Sequence, residues 1–514
     1  MEPRPFQQEC VDKVGIPTLL SRLIADEMGL GKTPEALWID YKLRIETYVK
    51  GGPKRKTLII APLATHQDAW VRHIKLVWPT ARIYVIDRKD RPAFVKALSQ
   101  NYTCYIIHYE ALRLMPELRR VSWFHIIADE CHRAKSRKAQ QTRALKALPA
   151  RYKTGLSGTP ADNRPADIWS ILNWLYPKRY TSYWRHVKTY CVEQIVEGKN
   201  GATFRNYNKP NRETTPHLIA EMRPWYVRRL KREVLQDLPE KYYSDVWVEL
   251  GPAQRKAYNQ MRKDMIAWVG EHEDEPLVAP VVIAQLVRLQ QFALASVEIG
   301  YKYVITRTAR ARALEAREEP EPERRMTTTL IEPSAKLDAL EEMVSGNPTE
   351  QLVVWSQFRS MVDLAAQRLE ANKISVGRYT GTVPQTERDL AVEAFQRGDL
   401  HVFAGTIAAG GEGITLHAAS TGIFLDRHWS PTKNIQAEDR QHRIGQKNAV
   451  HIIDIMAKNT VDIGRRTVIS QKWEDLRFLL GDTVDPEAYG MTAADPLIQE
   501  AMADAQRIFG RDLL

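Results

Sequence analysis

The sequence predicts an α/β protein built from two parallel-sheet units. In the first half, Leu23-Ile24-Ala25, Leu58-Ile59-Ile60-Ala61, Tyr105-Ile106-Ile107 and Phe124-His125-Ile126-Ile127-Ala128 are short apolar runs stopped by Pro or polar residues. In the second half, Leu352-Val353-Val354-Trp355, His401-Val402-Phe403-Ala404 and Gly422-Ile423-Phe424-Leu425 repeat the pattern. Helical stretches lie between these runs, and strands alternating with helices build parallel sheets. Between the halves, Glu315 to Arg325 (EAREEPEPERR) reads as a mobile linker.

The first apolar run leads into Asp26-Glu27-Met28-Gly29-Leu30-Gly31-Lys32-Thr33, followed by helix formers from Glu35. A glycine loop between strand and helix points backbone N–H groups and the positive end of a helix at a phosphate. Lys32 would reach the β- and γ-phosphates, and the Thr33 hydroxyl would bind Mg²⁺. The general phosphate-loop pattern wants Gly five residues before Gly31, where Asp26 stands. The pattern alone therefore leaves a phosphate loop and a glycine-rich turn both open. Upstream, Gln7 has the donor and acceptor to read an adenine edge, or it is a surface residue.

The fourth run of the first half ends in Asp129-Glu130-Cys131-His132. Two carboxylates at the C-terminal end of a buried strand are costly without a task, and ligands of open α/β sheets bind at that edge. Asp129 is suited to hold Mg²⁺ and Glu130 to polarise an attacking water; a helix N-cap at Asp129 would explain one carboxylate but not the pair. Ser157 and Thr159 fall in Leu156-Ser157-Gly158-Thr159-Pro160, by itself a turn. From about 165 to 235, Trp169, Trp174, Tyr176, Tyr180, Tyr183, Trp184 and Tyr190 interleave with bases. Arg223, Arg228, Arg229, Lys231 and Arg232 follow within ten acid-free residues. Bases among aromatics suit a nucleic-acid backbone; aromatics at helical spacing also suit a core. Residues 251 to 312 look helical, with Arg307, Arg310 and Arg312 near the end. In the second half come Thr406, then Gly410-Gly411-Glu412-Gly413, then Arg440 and Arg443, which would share a face if helical. Two guanidinium groups so placed suit a triphosphate from another domain, or a charged surface helix.

The net charge of +11 and pI of about 9.3 fit a polyanionic partner or a merely basic surface. Four widely spaced cysteines have no zinc-site spacing and fit a reducing compartment. The N-terminus lacks a signal-peptide core, and no run of about 18 apolar residues exists to span a membrane.

These elements, in this order, resemble superfamily-two helicase-like ATPases and, more narrowly, SWI/SNF-like translocases on double-stranded DNA. The resemblance covers roughly residues 3 to 475. That family writes its phosphate loop as Asp26 to Thr33 stand here, so Asp26 is a match. Asp129, Glu130 and His132 meet its Asp-Glu-x-His motif, and Leu156 to Pro160 its third motif. Tyr226 to Lys241 (YVRRLKREVLQDLPEK) meet its Arg-Arg-x-Lys…Leu-Pro-x-Lys junction, with Gln254 and Tyr258 in the sequel. Ala408 to Leu416 and Arg440 to Gln446 meet motifs five and six. Cys131 stands where Ala is common.

The resemblance implies two RecA-like lobes with helical protrusions. Lobe one would span 1–240, with a protrusion at about 165–230. A second protrusion and the linker would fill 241–333, lobe two 334–480, and a tail 481–514. It implies ATP and Mg²⁺ in the cleft: Gln7 on adenine, Asp26, Glu27, Met28, Gly29, Leu30, Gly31, Lys32 and Thr33 on phosphate, and Thr33 and Asp129 on metal. Lys32, Asp129, Glu130 and the fingers Arg440 and Arg443 would be catalytic. Ser157, Thr159, Arg228, Arg229, Thr406 and Gly411 would serve duplex DNA, with Gly413 between DNA and nucleotide. The expected activity is DNA-dependent ATP hydrolysis with tracking along duplex DNA, independent of base sequence. Strand separation or annealing at forks, and a nucleotide-gated DNA scaffold with little turnover, are the alternatives. The expected type is a small stand-alone prokaryotic or phage motor, cytoplasmic and DNA-associated, or nuclear if eukaryotic.

Overall fold

Alternation of buried apolar residues sets each sheet. The computed structural model describes residues 2–12, 20–47, 55–63, 68–161, 165–197, 203–271, 278–305, 319, 321–411 and 413–482. Arg307, Arg310, Arg312, Glu412, linker residues 315–318 and 320, and all but the first two residues of the expected tail lie outside the described residues.

In lobe one the strands are β1 (Ser21–Ile24), β2 (Thr57–Ala61), β3 (Ile83–Val85), β4 (Cys104–His108), β5 (Trp123–Ala128) and β6 (Ala150–Leu156). A hairpin, β7 (Cys191–Glu197) and β8 (Thr203–Pro210), stands apart, and β9 (Tyr226–Val227) returns to the sheet. Among the described residues the order is β3-β4-β2-β5-β6-β1-β9, and every pairing is parallel. On β2, Leu58 and Ile60 face a cluster with Phe94 and Tyr105, while Ile59 and Ala61 face one with Ile39, Trp70 and Ile74. Helices on both faces make the strands apolar throughout, as parallel sheets require. Because β5, β6 and β1 are neighbours, the chain leaves all three at one sheet edge. That edge carries Asp129, Ser157 and the glycine loop.

Lobe two is also parallel, in the order β10-β17-β16-β13-β15-β14 among the described residues. Its strands are β10 (Lys241–Val248), β13 (Leu352–Ser356), β14 (Val376–Tyr379), β15 (Val402–Thr406), β16 (Thr421–Phe424) and β17 (Val450–Ala457). A second hairpin pairs β11 (Ser296–Val304) with β12 (Glu323–Ile331).

Four sequence expectations change here. Residues 296–304, expected to be helical within 251–312, form strand β11, in keeping with its alternating Val, Ile and Tyr residues. Residues 241–248, expected in a protrusion, are the edge strand of lobe two, consistent with the β-propensity of Lys-Tyr-Tyr-Ser-Asp-Val-Trp-Val. The linker's last residues, Glu323 to Arg325, begin β12, which the Thr-rich run Thr327-Thr328-Thr329 carries onward. The 165–230 insertion holds the β7–β8 hairpin beside its helices Ile168–Leu175, Tyr183–Tyr190 and Thr215–Met222. Its aromatics are largely core: Trp169, Trp174 and Tyr180 are buried, and Trp184 is exposed.

Helix Val461–Leu480, about 30 Å long by helical rise, connects the lobes. Its start is fixed in lobe two by Lys336 to Asp462 at 2.7 Å, both fully buried. Its end packs Leu476, Leu479 and Leu480 into the lobe-one core. Helix Pro252–Glu271, begun by the expected Gln254 and Tyr258, is tied to the same region by Val461 N–H donating to the Tyr258 hydroxyl at 2.7 Å. Among the described residues no helix is long and apolar enough to cross a membrane.

Gly410, after β15, shows how tightly the second lobe packs beneath its loops. A Cβ there would lie 2.2 Å from Trp355 Cζ3. Overpacking of this kind costs about 1–3 kcal/mol. Gly410→Ala should lower the denaturation midpoint accordingly in urea titrations, and an unchanged midpoint would contradict this packing.

Candidate nucleotide site between the lobes

The glycine loop leaves β1 and enters helix Lys32–Glu46 through Gly29 and Gly31, at φ 85° and 80°. These left-handed values favour glycine, which has no Cβ to clash there. A Cβ on Gly31 would also meet Gln7 Nε2 at 2.8 Å. Gln7 is buried; its Nε2 donates to Leu30 O at 3.0 Å and Gly31 O at 3.1 Å, and its Oε1 accepts from Arg4 N–H. The amide expected at adenine thus pins helix Pro5–Asp12 to the loop in this structure. Lys32 Nζ donates to Asp26 O at 2.8 Å and Glu27 O at 3.2 Å. Burial lowers its pKa, against the pull of Glu130, Asp26 and Asp129. Thr33 follows in the first turn, half-buried.

At the end of β5, Asp129 Oδ2 accepts from Trp70 Nε1 at 2.9 Å, and Oδ1 from Glu130 N–H at 3.0 Å. Glu130 has φ 45°, a left-handed value costing a non-glycine residue about 1–3 kcal/mol. His132 Nδ1 lies 3.2 Å from Glu130 Oε2 and 3.0 Å from Ser157 Oγ. The adjacent carboxylates diverge. Burial and the Glu130 charge raise the Asp129 pKa. For Glu130, burial also pushes upward, but His132, Lys32 and Arg440 outweigh it and the carboxyl titrates low.

Ser157 and Thr159, expected to serve nucleic acid, are interior. Ser157 Oγ accepts from Thr159 N–H at 3.2 Å. The pair therefore joins the carboxylate turn to the loop after β6 and presents no DNA-facing surface. Gly158 packs on the glycine loop, where an added Cβ would meet Met28 Cγ at 2.6 Å.

Arg228 and Arg229, expected at the DNA backbone, also point inward. Past β9, the chain runs alongside the loop: Ala25 N–H donates to Val227 O at 2.7 Å and Glu27 N–H to Arg229 O at 3.0 Å. Arg228 donates to Ala25 O at 2.7 Å and Gly158 O at 2.9 Å and pairs with Asp482 at 2.6 Å. Arg229 Nε is 3.0 Å from both Asp26 oxygens, and its Nη2 is 2.6 Å from Glu35 Oε1. Asp26 and Glu35 are wholly buried. A buried carboxylate needs a cation, and these arginines answer that demand.

Lobe two brings Arg440 and Arg443 to the same place by a route other than helical spacing. Helix Pro431–Glu438 ends before them, and both lie in the following turns. They converge on one acceptor: Arg440 Nη1 is 3.3 Å and Arg443 Nη1 2.9 Å from Ile414 O. Arg440 Nη2 also donates to Gly411 O at 2.6 Å, and Arg443 Nη1 to Thr415 Oγ1 at 2.8 Å. Burial and the neighbouring Arg440 lower the Arg443 pKa to about 10. Gly411 is buried with its carbonyl engaged, Thr406 is buried at the end of β15, and Gly413 is exposed at φ 80°.

The halves meet at the loop. A Cβ placed on Gly29 would lie 3.4 Å from Arg443 Cβ and 3.4 Å from Lys231 Cε. Lys231 Nζ is 2.7 Å from Asp439 Oδ1. Trp70, Lys231 and Asp439 complete the site without having been assigned to it by the sequence. A lone Trp on a helix carries no signal, whereas Lys231 stood inside the quoted Arg-Arg-x-Lys pattern.

A glycine loop on one parallel sheet facing an arginine pair on a second defines a helicase-like, two-lobed P-loop protein. The SNF2-related domain matches residues 18–293 and the helicase conserved C-terminal domain residues 335–445. The chain belongs to the SNF2-related family. It is 26% identical over 496 residues to the Chromodomain-helicase-DNA-binding protein 1-like of Danio rerio, covering 92% of this chain and 44% of that protein. It is 28% identical over 484 residues to a SWI/SNF-related matrix-associated actin-dependent regulator of chromatin subfamily A-like protein 1 homolog of Caenorhabditis elegans, covering 92% and 61%. The chain thus spans less than two thirds of each of these relatives. A SWI2/SNF2 ATPase core of Sulfolobus solfataricus, solved in complex with dsDNA, aligns over 94% of this chain and 98% of that one at 21% identity, with a TM-score of 0.41.

The raised Asp129 pKa makes stability depend on pH. Above the ordinary carboxyl pKa of about 4, the unfolded chain releases a proton that folded Asp129 keeps, so rising pH destabilises the fold until Asp129 ionises. Asp129→Asn should be more stable than wild type, with the gain growing from about pH 5 to about pH 8 and reaching about 1–3 kcal/mol. Chemical denaturation of the nucleotide-free protein at both pH values checks this; a gain that does not change with pH would contradict it.

Proposed function

We propose that the chain is a DNA-dependent ATPase that tracks along duplex DNA without reading its sequence, a compact helicase-like motor with a DExH-type second motif. One observation carries the reading: Arg443 of lobe two packs directly on Gly29 of the lobe-one glycine loop. Two distant stretches of the sequence thereby bring Lys32, Asp129, Glu130, Arg440 and Arg443 within electrostatic reach of one another.

The residues fit ATP with Mg²⁺. Gly29 and Gly31 leave a cradle that a side chain would close, and the N-terminus of helix Lys32–Glu46 faces it. The adjacent half-buried carboxylates Asp129 and Glu130 favour positive charge close by. Thr33 and Asp129 would hold Mg²⁺, whose chemistry when bound is to neutralise charge developing on the phosphates. Lys32 would leave the Asp26 and Glu27 carbonyls for the phosphates. Glu130, kept ionised by His132 and Lys32, would orient and polarise the attacking water. Arg440 and Arg443 would stabilise the transferring phosphoryl, so hydrolysis would require the lobes to be together.

His132 and Ser157 would relay the state of Glu130 to the turn containing Thr159. In lobe two the exposed Gly413 would meet the DNA backbone, while the buried Thr406 and Gly411 would act from beneath it, Gly411 through its bond to Arg440. The relatives' names include helicase, DNA-binding and chromatin, which supports DNA as the partner. Contacts mainly to phosphate would make binding weaken steeply with salt. Where the cell keeps its DNA, cytoplasm or nucleus, would set the protein's location.

ATPase titrations against duplex DNA, single-stranded DNA and RNA test the reading. Duplex DNA should stimulate most, and Lys32→Ala, Glu130→Gln and Arg443→Ala should each lower stimulated kcat by about 10³-fold or more. Equal stimulation by RNA, or wild-type turnover in the purified variants, would overturn it.

A further inference from the structure

Lys231 belongs to lobe one but grips lobe two. Its own N–H donates to Glu27 Oε2 at 2.7 Å, which fixes it to the glycine loop. Its side chain is buried, with Nζ 2.7 Å from Asp439 Oδ1 and 2.7 Å from His442 O. Asp439 immediately precedes Arg440, and His442 immediately precedes Arg443. A single ammonium thus holds the chain one residue before each arginine.

Charge neutralisation alone does not account for this. Asp439 already has Lys241 of its own lobe at 3.5 Å. Arg229, two residues earlier, shows the purely local alternative, because it answers the lobe-one carboxylates Asp26 and Glu35. The His442 carbonyl is neutral, so the second contact is directional: it fixes where the turn lies. The His442 ring reinforces the placement with Nε2 2.8 Å from Pro239 O.

We propose that Lys231 is a positioning residue that sets the register of Arg440 and Arg443 over the glycine loop. This rests on the ATPase reading above and assigns to that site a cross-lobe tie separate from the fingers themselves. A displacement of about 1 Å in a catalytic group can cost about 10²-fold in rate. Fingers act on the transition state, so the loss should fall on kcat.

The test compares Lys231→Met, Asp439→Asn and the double variant in the full chain. Each single variant should keep the KM for ATP within about threefold and lose about 10–100-fold in DNA-stimulated kcat. The double variant should be no worse than Lys231→Met, because that change already removes the contact that Asp439→Asn weakens. If Lys231→Met does not fold, Asp439→Asn decides by the same split between kcat and KM. Unchanged kcat, a loss confined to KM, or multiplicative losses in the double variant would overturn the proposal.

Hydrogen exchange on nucleotide-free protein supplies a readout that does not depend on turnover. Amides of 439–446 should exchange faster in the Lys231 variant, while those of β2 and β5 do not change. Unchanged protection at 439–446 overturns the tie. A wild-type protein without ATPase activity would instead overturn the functional reading and leave the exchange result to decide Lys231.

Discussion

The site depends on a buried charge cluster beneath the glycine loop. Asp26 begins the loop and Glu35 lies in the first turns of the helix that follows; both side chains are removed from water. Two carboxylates so placed repel each other, and burial with the Asp26 charge pushes the Glu35 pKa upward. Arg229 spans both. It can do so only because the chain returns some 200 residues later to add β9 beside β1, with Ile24 opposite Val227. The loop is therefore shaped by a segment far away in sequence, and lobe one is complete only when that segment docks.

This explains which parts of the site were legible in the sequence. The glycine loop, the Asp129-Glu130 turn and the apolar strands are local signals: a few adjacent residues fix both conformation and chemistry. Their sheet neighbours β5, β6 and β1 then bring them to one edge without further information. A basic run carries no sign of burial: Arg228, Arg229 and Lys231 turn inward, while Arg223 and Arg232 are exposed. Arg228, Arg229 and Lys231 are bases matched to interior carboxylates and carbonyls, as are Lys336 with Asp462 and Arg427 with Glu438 and Asp454 in lobe two. These bases and their carboxylates cancel in the net charge, so the +11 excess resides on other residues, and a run of bases in the sequence does not locate it.

The arginine pair shows a different limit. Spacing of three suggests a shared helical face, but the helix stops at Glu438. Convergence is achieved by Ile414 O, an acceptor in the motif-five segment, together with Leu416 N–H donating to Arg440 O at 2.8 Å. Backbone acceptors of this kind leave no trace in residue identity. Trp70 and its bond to Asp129 are hidden for the same reason: the contact joins a helix and a strand end that only the fold makes neighbours.

The cations of the site share a further property. Lys32 is held by carbonyls of Asp26 and Glu27, Arg440 by those of Gln436, Ile414 and Gly411, and Arg443 by Ile414 O and the Thr415 hydroxyl. These carbonyl and hydroxyl groups are neutral acceptors, weaker partners than an anion by roughly twofold per bond. Burial and mutual repulsion act on the arginines, as the lowered Arg443 pKa records. Lys32 and Arg443, held by neutral acceptors and placed on opposite lobes, have more to gain from a shared polyanion than either has alone. Such a gain exists only while the lobes are together, so binding the anion and holding the lobes closed become one equilibrium.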